Sequence, residues 1–143
     1  PSYDELFASG KGFTSPEEAH RFVEQTKVDW LSVAVGNIHG AISGAAKSNK
    51  KVEARLNIEH LRKIRDTVNI PLVLHGGSGI NVECLRESFR NGIAKINIGT
   101  TIRQAYEKYK EQSVSRAQES VYEETKRLIK EELMIEGSAE MLA

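Results

Sequence analysis

Cysteine is all but missing. Cys84 stands alone among 143 residues, which excludes an internal disulfide framework and fits a reducing compartment. Charge of one sign is missing too: 20 basic residues balance 20 acidic ones. Nothing in the net charge therefore points to nucleic acid or a membrane surface as partner. No apolar run approaches the length of a membrane span, and the opening residues carry no signal-peptide pattern. Low-complexity tracts and repeats long enough for a solenoid are also lacking. A soluble cytoplasmic protein with the size of one domain is the expectation. The chain opens on Pro1 rather than Met, so removal of something upstream is expected as well.

What the sequence has is an alternation of strand and helix patterns. After a polar opening with Gly10 and Gly12, Ser15-Pro16-Glu17-Glu18 has the form of an N-cap, an N1 proline and a capping-box glutamate. The helix it starts is expected to bury Ala19, Phe22 and Val23 and to stop near Thr26. Trp30 to Val35 is almost wholly apolar, as in a strand covered on both faces. A long connection rich in small and basic residues runs from Gly36 to Asn57. Asn57 can cap a helix whose Leu61, Ile64 and Val68 fall on one side. Leu72 to His75 reads as the second strand, Val82 to Asn91 as a helix closed by Gly92, and Ala94 to Ile98 as the third strand. Gly99-Thr100 opens another helix, with Ile102, Tyr106 and Tyr109 in one stripe. A charged amphipathic helix carrying Val121, Leu128 and Ile129 then runs from about Ser115 to Ile135, within a helical extension over about 113–137.

Apolar strands alternating with amphipathic helices imply βαβ units and a parallel sheet, hence the α/β class. Three strands cannot close a barrel, and a (β/α)8 barrel takes about 250 residues. The chain therefore reads as the C-terminal part of a TIM barrel, about strands 6 to 8 with their helices, followed by C-terminal helices. A small open three-layer α/β domain is the alternative. The positions of the polar residues favour the partial barrel. Gly36 to Gly40, His75 to Gly79 and Asn97 to Thr100 all lie just after strands, on the rim where barrel active sites are built.

The richest of these stretches is Leu72-Val73-Leu74-His75-Gly76-Gly77-Ser78-Gly79-Ile80. It delivers an imidazole to the carboxyl end of a strand. Beside it, a glycine-rich loop leaves backbone N–H groups to wrap an anion such as phosphate. His39, in Gly36-Asn37-Ile38-His39-Gly40, is a second histidine flanked by glycines past a strand end. Two such histidines on consecutive strands would face each other across a barrel mouth, close enough to share a metal. Catalytic zinc commonly takes three protein ligands, so a third would come from elsewhere. Asn97 shares its strand face with Lys95 and Gly99, where it can hydrogen-bond a substrate hydroxyl or enolate. Gly99-Thr100 offers further donors to phosphate, the Thr100 hydroxyl either capping its helix or meeting the ligand. Lys95 lies deeper and is expected to pair with a carboxylate. His20 and His60 read as surface residues, Cys84 as packing in a first helical turn, and the basic residues between Lys47 and Arg55 as solvated loop.

Three of these motifs, in order, resemble the class II, metal-dependent ketose-bisphosphate aldolases. They are Val33-Ala34-Val35-Gly36-Asn37-Ile38-His39-Gly40, Leu72 to Ile80, and Ala94-Lys95-Ile96-Asn97-Ile98-Gly99-Thr100. The helix opening at Ser15 and the ending in Gly137-Ser138 are similar to that family as well. The resemblance implies that His39 and His75 are two of three zinc-binding histidines. It implies that Gly40, Gly76, Gly77 and Ser78 hold the dihydroxyacetone-phosphate end of a phosphorylated ketose. Asn97 would contact its carbonyl-hydroxyl end, and Ile98, Gly99 and Thr100 its phosphate. Where the family has Lys-Gly after the zinc histidine, this sequence has Ser43-Gly44, so no lysine contact is carried over there.

The resemblance places the remaining zinc histidine and the acid–base aspartate on earlier strands, and a mobile loop with a catalytic carboxylate before the present residues. The chain is thus expected to be a C-terminal piece that pairs with the N-terminal half of the same barrel, in an enzyme that is usually a homo-oligomer. Alone it is expected to bind zinc weakly and to lack activity. Two other readings stay open on the residues themselves. One is a phosphate-binding barrel enzyme without metal, and the other a non-catalytic assembly subunit.

Overall fold

The computed structural model describes residues 2–37 and 53–142, and the chain divides into two compact units, Pro1–Asn97 and Ile98–Ala143. The first unit holds the sheet. Its strands β1 (Leu31–Val33), β2 (Leu72–Leu74) and β3 (Ile93–Ile96) are parallel and lie in the order β1-β2-β3. Around them in chain order come helices α1 (Tyr3–Ser9), α2 (Pro16–Thr26), α3 (Ile58–Val68) and α4 (Val82–Arg90). A parallel neighbour cannot be reached by a tight turn, and here α3 and α4 make the two crossovers.

Register decides what each face of the sheet carries. Leu31, Leu72 and Ile93 lie side by side, as do Val33, Leu74 and Ile96. With Leu61, Ile64 and Val68 of α3 and Leu85 of α4, Val33, Leu72, Leu74 and Ile93 make the core, while Leu31 and Ile96 are half-buried. Leu61, Ile64, Leu72 and Leu74 are wholly buried, each stabilising the fold by roughly 2 kcal/mol. The opposite face carries Ser32, Val73 and Lys95 in line; Val73 is buried, while Ser32 and Lys95 are exposed. The strand at Trp30 to Val35 is therefore not covered on both sides. It is shorter than its apolar run, it alternates, and Trp30 is 52% exposed.

Between β2 and β3 the register slips by one residue. Leu72 faces Ile93, but Val73 faces Lys95, so Ala94 is the extra residue of a β-bulge. Without it, Ala94 would oppose Val73 and Lys95 would turn toward the core.

The helix signals behave as local chemistry requires. Asn57 caps α3 by accepting from the His60 N–H, and Asn81 caps α4 by accepting from that of Cys84. Ser15 caps α2 through the Glu18 N–H, with Pro16 at the first helical position. The glutamate that meets the Ser15 hydroxyl is Glu17, at 2.8 Å, one residue before the capping-box position. Phe22, expected in the core, is 48% exposed; only Ala19 and Val23 of α2 are buried. His60 is not a surface residue. Its Nε2 lies 2.7 Å from the Thr14 carbonyl oxygen, which can only accept, so Nε2 carries the proton.

Helix α1 lies in what reads as a polar opening. It is seven residues long and buries none of them fully; Tyr3, Leu6 and Phe7 form a short half-buried stripe, and Ser2 and Glu5 form a full capping box. Its anchor is Tyr3, whose hydroxyl accepts from the Arg55 N–H at 2.6 Å. The same oxygen lies 3.1 Å from the carbonyl oxygens of both Gly36 and Arg55, which share its one proton. The Arg55 guanidinium stacks 4.9 Å from the Phe7 ring centre and pairs with Asp4. Gly36 sits beneath this brace at φ +113°. A Cβ there would lie 2.5 Å from the Arg55 carbonyl oxygen and 2.6 Å from Phe7 Cε2.

In the second unit, α5 (Thr100–Glu107) packs on α6 (Val114–Arg127). Ile102 and Tyr106 share α5 with a half-buried flank as expected, while Tyr109 lies beyond its end. The expected single long helix changes pitch after Arg127. Leu128–Glu132 forms a π turn, with the Leu133 N–H donating to the Leu128 carbonyl at 2.8 Å. Arg127 is clamped by Glu124 and by Glu132, each at 2.7 Å. The second partner is five residues away, the spacing a π turn brings into line. Ala117 and Leu128 are buried, whereas Ile129 is 36% exposed.

Two predictions follow the packing. Gly36→Ala forces both a left-handed backbone and a backbone collision, and should cost about 3 kcal/mol in urea unfolding. Gly12→Ala has φ +87° but nothing within 4 Å of its Cβ, and should cost about 1 kcal/mol. Equal losses would show that the Tyr3–Arg55 brace yields. In α6, hydrogen bonding from Arg127 holds the Glu124 carboxyl below its ordinary value of 4.5. A depressed carboxyl contributes stability above its unfolded value, and that contribution is lost as pH falls through the lower folded value. Carboxyl NMR should therefore show Glu124 titrating below pH 4.5, and returning toward it in Arg127→Ala.

Candidate functional site

The carboxyl end of the sheet gathers three polar side chains from three strands. His75 directly follows β2, Asn97 directly follows β3, and Asn37 lies four residues past β1. All three are half-buried. Asn37 ties the first two strand ends together: its Oδ1 accepts from the Val35 N–H at 3.0 Å, and its Nδ2 donates to the His75 carbonyl at 2.9 Å. Asn97 ties the second and third. Its N–H donates to the Leu74 carbonyl at 2.9 Å, and its own carbonyl accepts from the Gly77 N–H at 3.0 Å.

The backbone around His75 is thus gripped from both neighbours, and the imidazole meets an amide. Asn97 Nδ2 lies 3.2 Å from His75 Nδ1 and 3.3 Å from Nε2. Lys95 Nζ donates to Asn97 Oδ1 at 2.5 Å. Among the described residues Lys95 has no carboxylate partner, contrary to expectation. It stands two residues before Asn97 on the same face, where an amide oxygen is within reach.

The glycine-rich loop follows at once. Gly76 and Gly79 have φ values of +66° and +81°, which L side chains rarely adopt, so these two glycines are required by the turn itself. Ile80 is buried and pairs with Ala54 in an isolated parallel bridge, held by Ala54 N–H to Gly79 carbonyl at 3.0 Å and Asn81 N–H to Ala54 carbonyl at 2.8 Å. The loop is therefore pinned at both ends. One expectation needs narrowing: not every N–H in the loop is left for an anion, because the Gly77 N–H is already given to Asn97. Cys84 caps nothing and ligates nothing here; its N–H meets Asn81 in the first turn of α4.

Ile98, Gly99 and Thr100 belong to the second unit. Gly99 is the N-cap of α5 and makes no side-chain cap, and Thr100 is the first helical residue, so the Thr100 hydroxyl does not cap its helix. His39 and Gly40 lie outside the described residues, as does Ser43-Gly44. Among the described residues, no three histidine, cysteine or acidic side chains stand together as a metal site. The His75 imidazole is a nitrogen donor of the kind zinc takes, at a strand end beside the Asn97 amide. A zinc site there would need further ligands besides this one nitrogen.

The sequence alone gives no role to one residue of this cluster and the wrong partner to another. Asn37 is the first, an amide in a glycine-flanked stretch whose side chain bonds nearby backbone, as turn asparagines do, and here also a neighbouring strand end. Lys95 could be placed on the Asn97 face by parity, but its partner could not.

Comparison with known proteins gives this geometry a family. The model of class II fructose-bisphosphate aldolase matches residues 2–142. The uncharacterized protein YdjI of Escherichia coli strain K12 is 44% identical over 103 residues, covering 72% of this chain and 34% of that protein. The solved YdjI aldolase of the same organism superposes with a TM-score of 0.66 at 36% identity, over 88% of this chain and 46% of the other. A putative fructose-1,6-bisphosphate aldolase from Coccidioides immitis gives 0.66 at 25% identity, over 90% and 46%. Fructose-bisphosphate aldolase of Campylobacter jejuni shares the fold at 0.63 and 18% identity, over 85% and 45%. The chain spans about half the length of these solved relatives and about a third of the curated one. Its three parallel strands and their helices form a C-terminal part of the TIM barrel, and the chain belongs to the class II fructose-bisphosphate aldolase family.

Proposed function

We propose that this chain carries the phosphate-holding side and part of the zinc shell of a class II ketose-bisphosphate aldolase. The reaction is the reversible cleavage of fructose 1,6-bisphosphate, or a related ketose bisphosphate, to dihydroxyacetone phosphate and glyceraldehyde 3-phosphate. The observation that carries the reading is the juxtaposition of His75, its neighbour Asn97 at 3.2 Å, and the pinned Gly76-Gly77-Ser78 loop at one strand end.

His75 and His39 are assigned to zinc, with the third histidine and the acid–base aspartate assigned to the earlier strands of the barrel. Bound there, zinc supplies Lewis-acid polarisation of the ketose carbonyl. Asn97 presents its amide N–H to the oxygen of the carbonyl-hydroxyl end. Gly76 and Ser78 bind the phosphate of the dihydroxyacetone-phosphate portion through backbone and hydroxyl donors, and Gly77 and Gly40 allow close approach. The resemblance extends phosphate contact to Ile98, Gly99 and Thr100. Fixing the phosphate holds the bond to be broken in line with the proton-moving group. That group being assigned elsewhere, the chain alone is inactive and pairs with the N-terminal half of the barrel, in a cytoplasmic homo-oligomer.

Metal analysis tests the zinc assignment. His39→Ala and His75→Ala should each weaken zinc binding at least about tenfold, the smallest loss that even outer-shell changes produce. Unchanged zinc content in both variants, with dihydroxyacetone phosphate still bound, would favour a metal-independent phosphate-binding enzyme. Ser78→Ala should raise the dissociation constant for dihydroxyacetone phosphate about tenfold in calorimetric titration, as loss of a hydrogen bond to a charged group does. Chelator-sensitive cleavage of fructose bisphosphate by this chain alone would overturn its inactivity.

A further inference from the structure

An asparagine amide has two nearly isosteric ends with opposite chemistry, an accepting oxygen and a donating NH2. Which end meets a ligand is fixed only by the neighbours. The backbone of Asn97 is already immobilised by its bonds to Leu74 and Gly77, so the remaining freedom is the flip of the side-chain amide.

Lys95 removes that freedom. An ammonium only donates, and Nζ lies 2.5 Å from Asn97 Oδ1. The oxygen is thereby committed to a cation, and Nδ2 is turned to the His75 ring, 3.2 Å from Nδ1 and 3.3 Å from Nε2. Lys95 and Asn97 share a face by their i, i+2 spacing, and the bulge at Ala94 puts that face on the side of Val73 and His75. With no carboxylate among the described residues to neutralise it, the ammonium acts on the amide alone. A cation on its oxygen polarises an amide and strengthens its N–H donors. Donors oriented in advance stabilise a developing negative oxygen without reorganising.

We propose that Lys95 is a positioning residue that fixes the Asn97 amide with its NH2 toward the ligand position beside His75. The site thereby selects a ligand whose oxygen there is an acceptor gaining negative charge, such as the carbonyl or enolate oxygen of a phosphorylated ketose. The identity of that ligand rests on the aldolase reading above; the orientation of the amide does not.

Two measurements on the whole chain separate these. In the first, the Asn97 side-chain NH2 signals are followed by 15N NMR, assigned by their disappearance in Asn97→Ala. Lys95→Met should shift them and Lys95→Arg should restore them, with the backbone spectrum reporting that each variant is folded. Signals identical in wild type and Lys95→Met would overturn the proposal.

In the second, dihydroxyacetone phosphate is titrated into wild type, Lys95→Met, Asn97→Ala and the double variant. Lys95→Met should weaken binding about tenfold, as loss of one well-oriented donor does, and should add nothing once Asn97 is alanine. Additive losses would overturn the proposal, since they mean that Lys95 meets the ligand directly. If wild type does not bind dihydroxyacetone phosphate, the aldolase reading of the ligand fails, and the NMR comparison alone decides the role of Lys95.

Discussion

The constraint on which the site depends is the one-residue slip between β2 and β3. A strand's side chains alternate with a period of two, so a single extra residue exchanges every position downstream between faces. Upstream of the slip, Ile93 lies beside Leu72 in the core; downstream, Lys95 lies beside Val73 on the open face. Pairing with Leu74 through the backbone then sets Asn97 next to His75. Remove Ala94 from the bulge and the core would be asked to bury a lysine, while the imidazole would lose its amide neighbour. Core packing and site chemistry are thus satisfied together by one irregularity. Neither would be met by a regular strand of this sequence.

The same logic explains how much of the fold could be read from the sequence. Caps and periodic stripes are local: Asn57 with Leu61, Ile64 and Val68, or Ser15-Pro16 before Ala19 and Val23, specify their helices without reference to anything distant. The strands were legible as apolar runs, but their ends were not, because Trp30 and Ala34 are apolar residues outside the ladder. Helix α1 was illegible for a different reason. It buries no residue fully, and its place depends on Tyr3 meeting backbone atoms of Gly36 and Arg55, 33 and 52 residues away. His60 is hidden from sequence in the same way, since its partner is a carbonyl 46 residues distant.

In the candidate site, residue types at strand ends were legible because chemistry there needs particular groups in a particular order. His75 before a glycine-rich loop, and Asn97 two residues after Lys95, are visible in one dimension. The couplings between them are not. That Asn37 bridges β1 to the carbonyl of His75 and that the Gly77 N–H is taken by Asn97 follow from pairing across strands, and that Lys95 ends on an amide rather than a carboxylate depends on which groups the fold brings near it. The bulge is invisible in the sequence as well: alanine within an apolar run carries no sign of being the extra residue.

These couplings bear on how charge is handled in the site. A lysine close to a histidine would normally oppose a second positive charge on it, since two like charges within several ångströms disfavour one another. Here the ammonium is spaced from the imidazole by an amide whose dipole runs from Lys95 to His75. Its oxygen end faces the positive charge and its NH2 end faces the ring. That interposed dipole carries the polarising influence of Lys95 outward while keeping the ammonium itself off the ring. A direct Lys–His contact would set the ammonium against the ring, and a Lys–carboxylate pair would cancel the charge and leave Asn97 free to flip. Lysine followed two positions later by asparagine, on a strand bulged just before, is the arrangement that avoids both.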